Sequence, residues 1–153
     1  MDFKVIYETY VDMVYRICFT YMKNVPDTED AVQEVFVKLL RHGLLFDNQE
    51  HVKAWLIVTA SNHCKNMLKY WWRKRKNLED YVEIIGDSQI VVDETMEMIL
   101  NLPVKYKTVV YLYYYEGYNS TQIGEMLGKP PSTIRSDLRL ARNILKKKME
   151  EGL

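Results

Sequence analysis

Three arginines and three hydroxyls near the end of this 153-residue chain, Arg135, Arg139 and Arg142 with Ser132, Thr133 and Ser136, are the side chains best suited to chemistry. The chemistry is recognition, not bond making. A guanidinium can donate twice to one guanine edge or to a phosphate, and small hydroxyls can approach either. Their spacing fixes where they stand. Ile134, Leu138, Ala141 and Leu145 recur at steps of four, three and four, so they form the buried stripe of a helix. Ser132, Ser136, Arg139 and Asn143 then fall on the opposite side, flanked by Arg135 and Arg142. Upstream, Ser120 is expected to cap a short helix over Thr121 to Leu127, with Ile123 and Leu127 inward. Gly128 permits a left-handed turn, and Pro131 suits the first position of the next helix. Two helices joined by a short glycine-containing turn, the second with a polar and basic outer face, describe a helix-turn-helix. An ordinary helical hairpin with a wet face is the alternative.

A second cationic stripe lies earlier. Asn62, Lys65, Lys69, Arg73 and Lys76 step by three, four, four and three, with Lys74 beside them and Ala60, His63 and Met67 on the other side. Trp71 and Trp72 interleave with the stripe. They suit stacking on unpaired bases, or else one is core and the other a partner contact. On the helix before that, Asp30, Gln33, Glu34, Val37 and Arg41 line up: acids toward the start and an outward apolar residue in the middle. Acids there offset the helix dipole; beside Val37 they also suit a protein partner that brings arginines.

The elements that carry these faces all read as helix. Phe3, Ile6, Tyr10, Met13, Val14, Ile17 and Tyr21 make an amphipathic first helix, broken at Asn24-Val25-Pro26-Asp27, with Asp27 or Thr28 expected to cap the second. The second buries Ala31, Val32, Val35, Phe36 and Leu39 and ends near His42-Gly43. A third, from about Glu50, carries Val52, Trp55, Leu56, Thr59, Ala60, His63 and Met67 inward. Patterning is lost over 78–92, which read as an acidic linker, and resumes from Asp93 to Leu102. Pro103 begins a further helix with Tyr106, Val109, Val110 and Tyr113, and Gly117 stands where a C-terminal glycine cap belongs. The expected fold class is therefore all-α: two small helical domains joined by an acidic linker, the C-terminal one a helix-turn-helix. The expected boundaries are 1–77, 78–92 and 93–153.

Charge supports this division. The 21 basic and 21 acidic residues cancel overall, yet seven bases and no acid lie between His51 and Asn77. Six acids and no base follow between Leu78 and Thr95, and seven bases return between Lys129 and Lys148 against the single acid Asp137. Two basic blocks on either side of an acidic one suggest two nucleic-acid-facing surfaces. Cys18 and Cys64 are too few and too far apart for a disulfide scaffold or thiolate metal site. The histidines at 42, 51 and 63 lack metal-ligand spacing, and there is no phosphate-binding glycine loop or nucleophile elbow. No catalytic residue, metal or cofactor is expected. No apolar run approaches the roughly 18 residues of a membrane span, and Met1-Asp2-Phe3-Lys4 has no signal pattern, so the expected compartment is the cytoplasm.

Taken in order, these segments resemble the bacterial extracytoplasmic-function (ECF) sigma factors, the smallest promoter-specificity subunits of RNA polymerase, within the sigma-70 family. The resemblance is carried by Asp27, Asp30, Gln33, Glu34, Val35 and Phe36, then by Ala54-Trp55-Leu56 through Arg73-Lys74-Arg75-Lys76. It continues through Leu102-Pro103, Tyr115-Glu116-Gly117-Tyr118 and Ile123 to Gly128, and closes on Thr133 to Leu138 with Ala141-Arg142. It implies that residues 1–77 form a region 2 domain and 93–153 a region 4 domain. Asp30, Gln33, Glu34 and Val37 would meet the polymerase clamp, with Phe36 in the core. Asn62, Lys65, Lys69, Arg73, Lys74 and Lys76, with the loop before their helix, would bind and open the downstream (minus-ten) element and hold a base flipped from the non-template strand. Ser132, Thr133, Arg135, Ser136, Arg139 and Arg142 would read the upstream (minus-thirty-five) element. The partners implied are core polymerase through clamp and flap, promoter DNA, and an anti-sigma factor able to hold the chain at the inner membrane face. Asp137, Leu140, Asn66 and the Tyr70-Trp71-Trp72 stretch depart from the family's commoner residues. A stand-alone helix-turn-helix regulator whose N-terminal helices dimerise is the competing reading.

Overall fold

The computed structural model describes residues 2–74 and 93–151. The expected linker over 78–92 and the candidate contact Lys76 lie outside the described residues. No strand occurs among the described residues, which fall into two compact units.

The first unit is three helices: α1 Phe3–Met22, α2 Val25–His42 and α3 Gln49–Lys74. Each packs on the other two. Ile6, Met13, Val14, Ile17 and Cys18 of α1 are buried with Val32, Val35, Phe36 and Leu39 of α2 and with Val52, Leu56, Ile57, Ala60 and Cys64 of α3. Full burial of one such aliphatic side chain contributes about 1.5–3 kcal/mol, so this seam holds the unit together. Cys18 and Cys64 are free thiols hydrogen-bonded to each other, and that bond, followed by burial, pushes the Cys18 thiol far above its usual range. The Cys18 thiol therefore lacks the thiolate character that reactivity requires, and both cysteines are buried.

Two local expectations need correction. The cap of α2 is Asn24, not Asp27 or Thr28: its Oδ1 accepts the Asp27 N–H at 2.9 Å while its Nδ2 donates to the Asp27 carboxylate at 2.8 Å. Pro26 then falls in the first turn, where a missing donor costs nothing. In α3 the deepest line is Val52, Leu56, Ala60 and Cys64, with Ile57 and Ser61, whereas Trp55, Thr59, His63 and Met67 are half-buried. The reason is that α3 faces the seam between α1 and α2, so its most buried line is aimed between them.

The second unit comprises α4 Glu94–Leu100, α5 Val104–Val110, a π-helical turn Tyr111–Tyr115, α6 Ser120–Leu127 and α7 Pro131–Glu151. Asp93 caps α4 by accepting the Met96 N–H at 2.8 Å. At the other end of α4 the ammonium of Lys107, only 2% exposed, donates to the Leu100 carbonyl at 3.3 Å, satisfying one of the carbonyls that a helix end leaves open. The π turn is closed by Glu116 N–H to Tyr111 O (3.1 Å) and Tyr118 N–H to Leu112 O (3.0 Å), with Gly117 between them at φ 79°. Periodicity did not signal it. Gly117 is nonetheless the left-handed residue expected there.

The cap of α6 is Asn119 rather than Ser120. Its side chain accepts the Gln122 N–H while the Gln122 side chain accepts the Asn119 N–H, both at 2.9 Å, a reciprocal capping box. Gly128 ends α6 at φ 68°, and Pro131 opens α7. Gly124 has a different task. A Cβ there would stand 2.5 Å from the carbonyl oxygen of Lys129 and 3.5 Å from Pro131 N, so only a residue without one lets the turn close against α6. Gly124→Ala is therefore expected to cost about 1–3 kcal/mol, read as a lower urea midpoint of the second unit's unfolding. An unchanged midpoint would show that the turn can slide away at no cost.

Candidate nucleic-acid and partner interfaces

The turn between α6 and α7 decides which side of α7 meets solvent. Ile134, Leu138 and Ala141 are buried, and Leu145 is half-buried. Ser132, Thr133, Arg135, Ser136, Arg139 and Arg142 are all exposed. The structure thus brings together all six residues expected on this face. Five of them (all but Thr133) line a groove of about 560 Å³ with Tyr113, Ser120 and Leu138. Asp137, the one acid in the basic block, is 8% exposed and lies on the core side of α7, apart from the exposed arginines. Arg142 is held from across the unit: its Nε donates to the Tyr114 hydroxyl at 2.7 Å, and its guanidinium lies 6.0 Å from the centre of the Tyr113 ring.

On α3, Asn62, Lys69 and Arg73 are exposed along one ridge with Lys65 half-buried among them, and Lys74 is exposed to one side of it. The Lys74 ammonium sits 5.8 Å from the Tyr70 ring centre. The two tryptophans divide as follows. Trp71 is half-buried in a groove between α2 and α3, while Trp72 is 80% exposed beside Arg73. Before α3, the connecting turn gathers aromatic rings that spacing did not reveal. Phe46 stacks on His42 at 4.9 Å and meets His51 and Trp55 edge-on at 5.1 and 5.9 Å, and Leu45 is 82% exposed beside them.

The acidic face of α2 borders two grooves. One of about 600 Å³ runs between α1 and α2, lined by Tyr7, Asp30, Gln33, Phe36, Val37 and Leu40 among others. The other, of about 400 Å³, runs between α2 and α3 and is lined by Asp27, Asp30, Glu34, Lys38, His63 and Trp71 among others. Asp30 alone of the four expected contacts belongs to both. Leu40, 54% exposed, extends the apolar patch around Val37 and lies off the stripe that runs from Asp30 through Val37 to Arg41. Glu34 pairs with Arg41 at 3.7 Å. In the second groove burial, then the Lys38 ammonium, hold His63 below its usual range despite Glu34. The neutral ring accepts from Lys38 Nζ at 3.3 Å. No group of His, Cys, Asp and Glu among the described residues could hold a metal ion.

These faces have counterparts in known proteins. A family model described as Sigma-70 region 2 matches residues 6–77, and one described as Sigma-70, region 4 matches residues 93–145. The chain is 29% identical to the ECF RNA polymerase sigma factor SigW of Bacillus subtilis over 95% of its own length and 88% of that protein. It is 27% identical to the sigma factor SigV of the same organism, over 86% and 81%. It is 29% identical to the sigma factor HrpL of Pseudomonas syringae, over 84% and 77%. Among solved structures, the sigma factor RpoE from Bartonella quintana, in complex with the anti-sigma factor NepR, superposes with a TM-score of 0.76 at 19% identity, covering 97% of each chain. At that identity the superposition speaks for the fold alone. A region 2 match on the three-helix unit, a region 4 match on the helix-turn-helix unit, and full-length likeness to ECF proteins agree: the chain belongs to the sigma-70 family, as an extracytoplasmic-function sigma factor.

Proposed function

We propose that the chain is the promoter-specificity subunit of a bacterial RNA polymerase, binding core enzyme and promoter DNA so that transcription starts at chosen sites. The observation that carries this reading is the pairing of a region 2 unit with a region 4 unit in one chain. A stand-alone regulator with dimerising N-terminal helices leaves the region 2 match without a reason. Nucleotide addition belongs to the polymerase, and this chain acts by binding. Within that reading Asp30, Gln33, Glu34 and Val37 meet the clamp. The ridge of Asn62, Lys65, Lys69 and Arg73, with Lys74 beside it and Lys76 assigned to the same role from its sequence spacing alone, takes the backbone of the downstream element. Leu45 and the rings around Phe46 offer an apolar rim for a flipped base, and Trp72 offers a second stacking surface. The outer face of α7 reads the upstream element in the major groove, with Ser132, Thr133, Arg135, Ser136, Arg139 and Arg142 as its contacts.

An anti-sigma factor is part of the proposal, since the structural relative is held by one. No helix among the described residues is long and apolar enough to cross a membrane, so any hold at the membrane face would come through such a partner. The cytoplasm is the compartment this function requires. Run-off transcription tests the whole reading. Purified core polymerase plus the chain, on DNA taken from upstream of the chain's own gene, is expected to give a discrete transcript that core alone does not make. DNA binding by the chain with no such transcript, and no association with core, would favour the regulator.

A further inference from the structure

Two adjacent tyrosines of the π turn reach one arginine of α7, a contact spanning 28 residues of sequence. Tyr114 Oη accepts from Arg142 Nε at 2.7 Å, and the Tyr113 ring lies under the same guanidinium at 6.0 Å. The two rings brace each other edge to face at 4.9 Å. A π turn carries one residue more than an α turn, which advances the side chains after it by about 100°. The wide turn keeps Tyr111 and Leu112 buried and lets both following tyrosines meet α7. It is anchored by Tyr111 Oη donating to Glu116 Oε1 at 2.9 Å and by ring stacking of Tyr111 on Tyr115 at 5.2 Å.

We infer that Tyr114 is a positioning residue for DNA recognition, and that Tyr114 and Arg142 together form a phosphate clamp at the edge of the α7 face. The inference rests on that face being the DNA-reading surface. The chemistry follows from the donor inventory. An arginine that gives its Nε–H to a fixed oxygen keeps four N–H donors on its two terminal nitrogens, and its plane is set before DNA arrives. Tyr114, having accepted from Nε, keeps its own O–H to donate to the same anion. Arg142 borders the groove that also holds Ser132, Arg135 and Arg139, so the clamp stands next to the residues that would read bases. A free arginine would have to be ordered on binding; this one is already held.

The test is a double-mutant cycle on the full chain, using a 30-base-pair duplex enriched by the chain itself from a random pool and followed by fluorescence anisotropy across a salt series. Tyr114→Phe removes only the hydroxyl and keeps the ring against Tyr113. It is expected to weaken binding about tenfold, to lower the salt slope, and to leave the melting temperature unchanged. In an Arg142→Ala background the same change is expected to cost clearly less than it does alone, since only the tyrosine's own donor to the phosphate is then lost. Wild-type affinity for Tyr114→Phe, or a loss that adds fully to that of Arg142→Ala, overturns the clamp while Arg139→Ala still weakens binding. If Arg139→Ala and Arg142→Ala both bind like wild type, the DNA-reading assignment of α7 has failed, and the clamp with it.

Discussion

Asp30→Arg and Glu34→Lys are each expected to reduce association with core polymerase about a hundredfold or more while the chain stays folded, since truncating or reversing one member of a desolvated charge pair costs roughly 2–5 kcal/mol of binding. Both side chains stand off the core on the outer side of α2, and surface changes of this kind alter stability by only about 0.5 kcal/mol. The two variants are not equivalent. Asp30 borders both grooves on this face, whereas Glu34 borders one and already shares its charge with Arg41. A lysine at 34 also enters a neighbourhood holding Arg41 and Lys38, and that like-charge repulsion belongs to the free chain. Asp30→Arg is therefore expected to be the cleaner loss of binding, with no change in helix melting. Retention of wild-type association by both variants, measured by capture of purified core on the immobilised chain, would remove the clamp assignment from α2.

How much of this was legible in the sequence depends on the range of the physics involved. Gly128 and Pro131 were readable because a left-handed residue and an N1 proline are decided by their own backbone. The faces of α2 and α7 were readable because one strongly apolar stripe leaves one direction outward. The caps stand one to four residues before the positions that sequence suggests, since Asn24 and Asn119 each precede other good capping residues and only backbone direction chooses among them. The phase of α3 is not legible for a different reason: a helix between two partners has apolar residues on more than one side, and spacing alone does not rank them. The burial of Lys107 and the hold of Tyr114 on Arg142 are each set by a residue on another helix. The π turn is closed by local bonds, but it departs from the 3.6-residue period on which spacing arguments rest.

The last expectation separates the two DNA faces, and the structure changes which residues test it. Lys65 is half-buried, so Lys69 and Arg73, exposed on the ridge of α3, are the better probes of the downstream element. Arg139 is the probe of the upstream one, because Leu138 and Ile134 fix the inward side of α7 and leave Arg139 outward in the groove. Arg139→Ala is expected to cost about 1–3 kcal/mol on the correct upstream sequence if the guanidinium reads a base edge. On scrambled sequence the loss should shrink, because phosphate contacts persist whatever the bases. Lys69→Ala combined with Arg73→Ala should leave the upstream footprint in place and impair strand opening, seen as weaker permanganate reactivity of thymines in the downstream element. The two readouts should move independently, since each probe lies in a different compact unit. Equal weakening of all DNA by Arg139→Ala would reduce that side chain to a phosphate contact. Unimpaired opening in the α3 double variant would mean that its ridge only solvates the unit, leaving the aromatic turn around Phe46 and the exposed Trp72 as the candidate melting surfaces among the described residues.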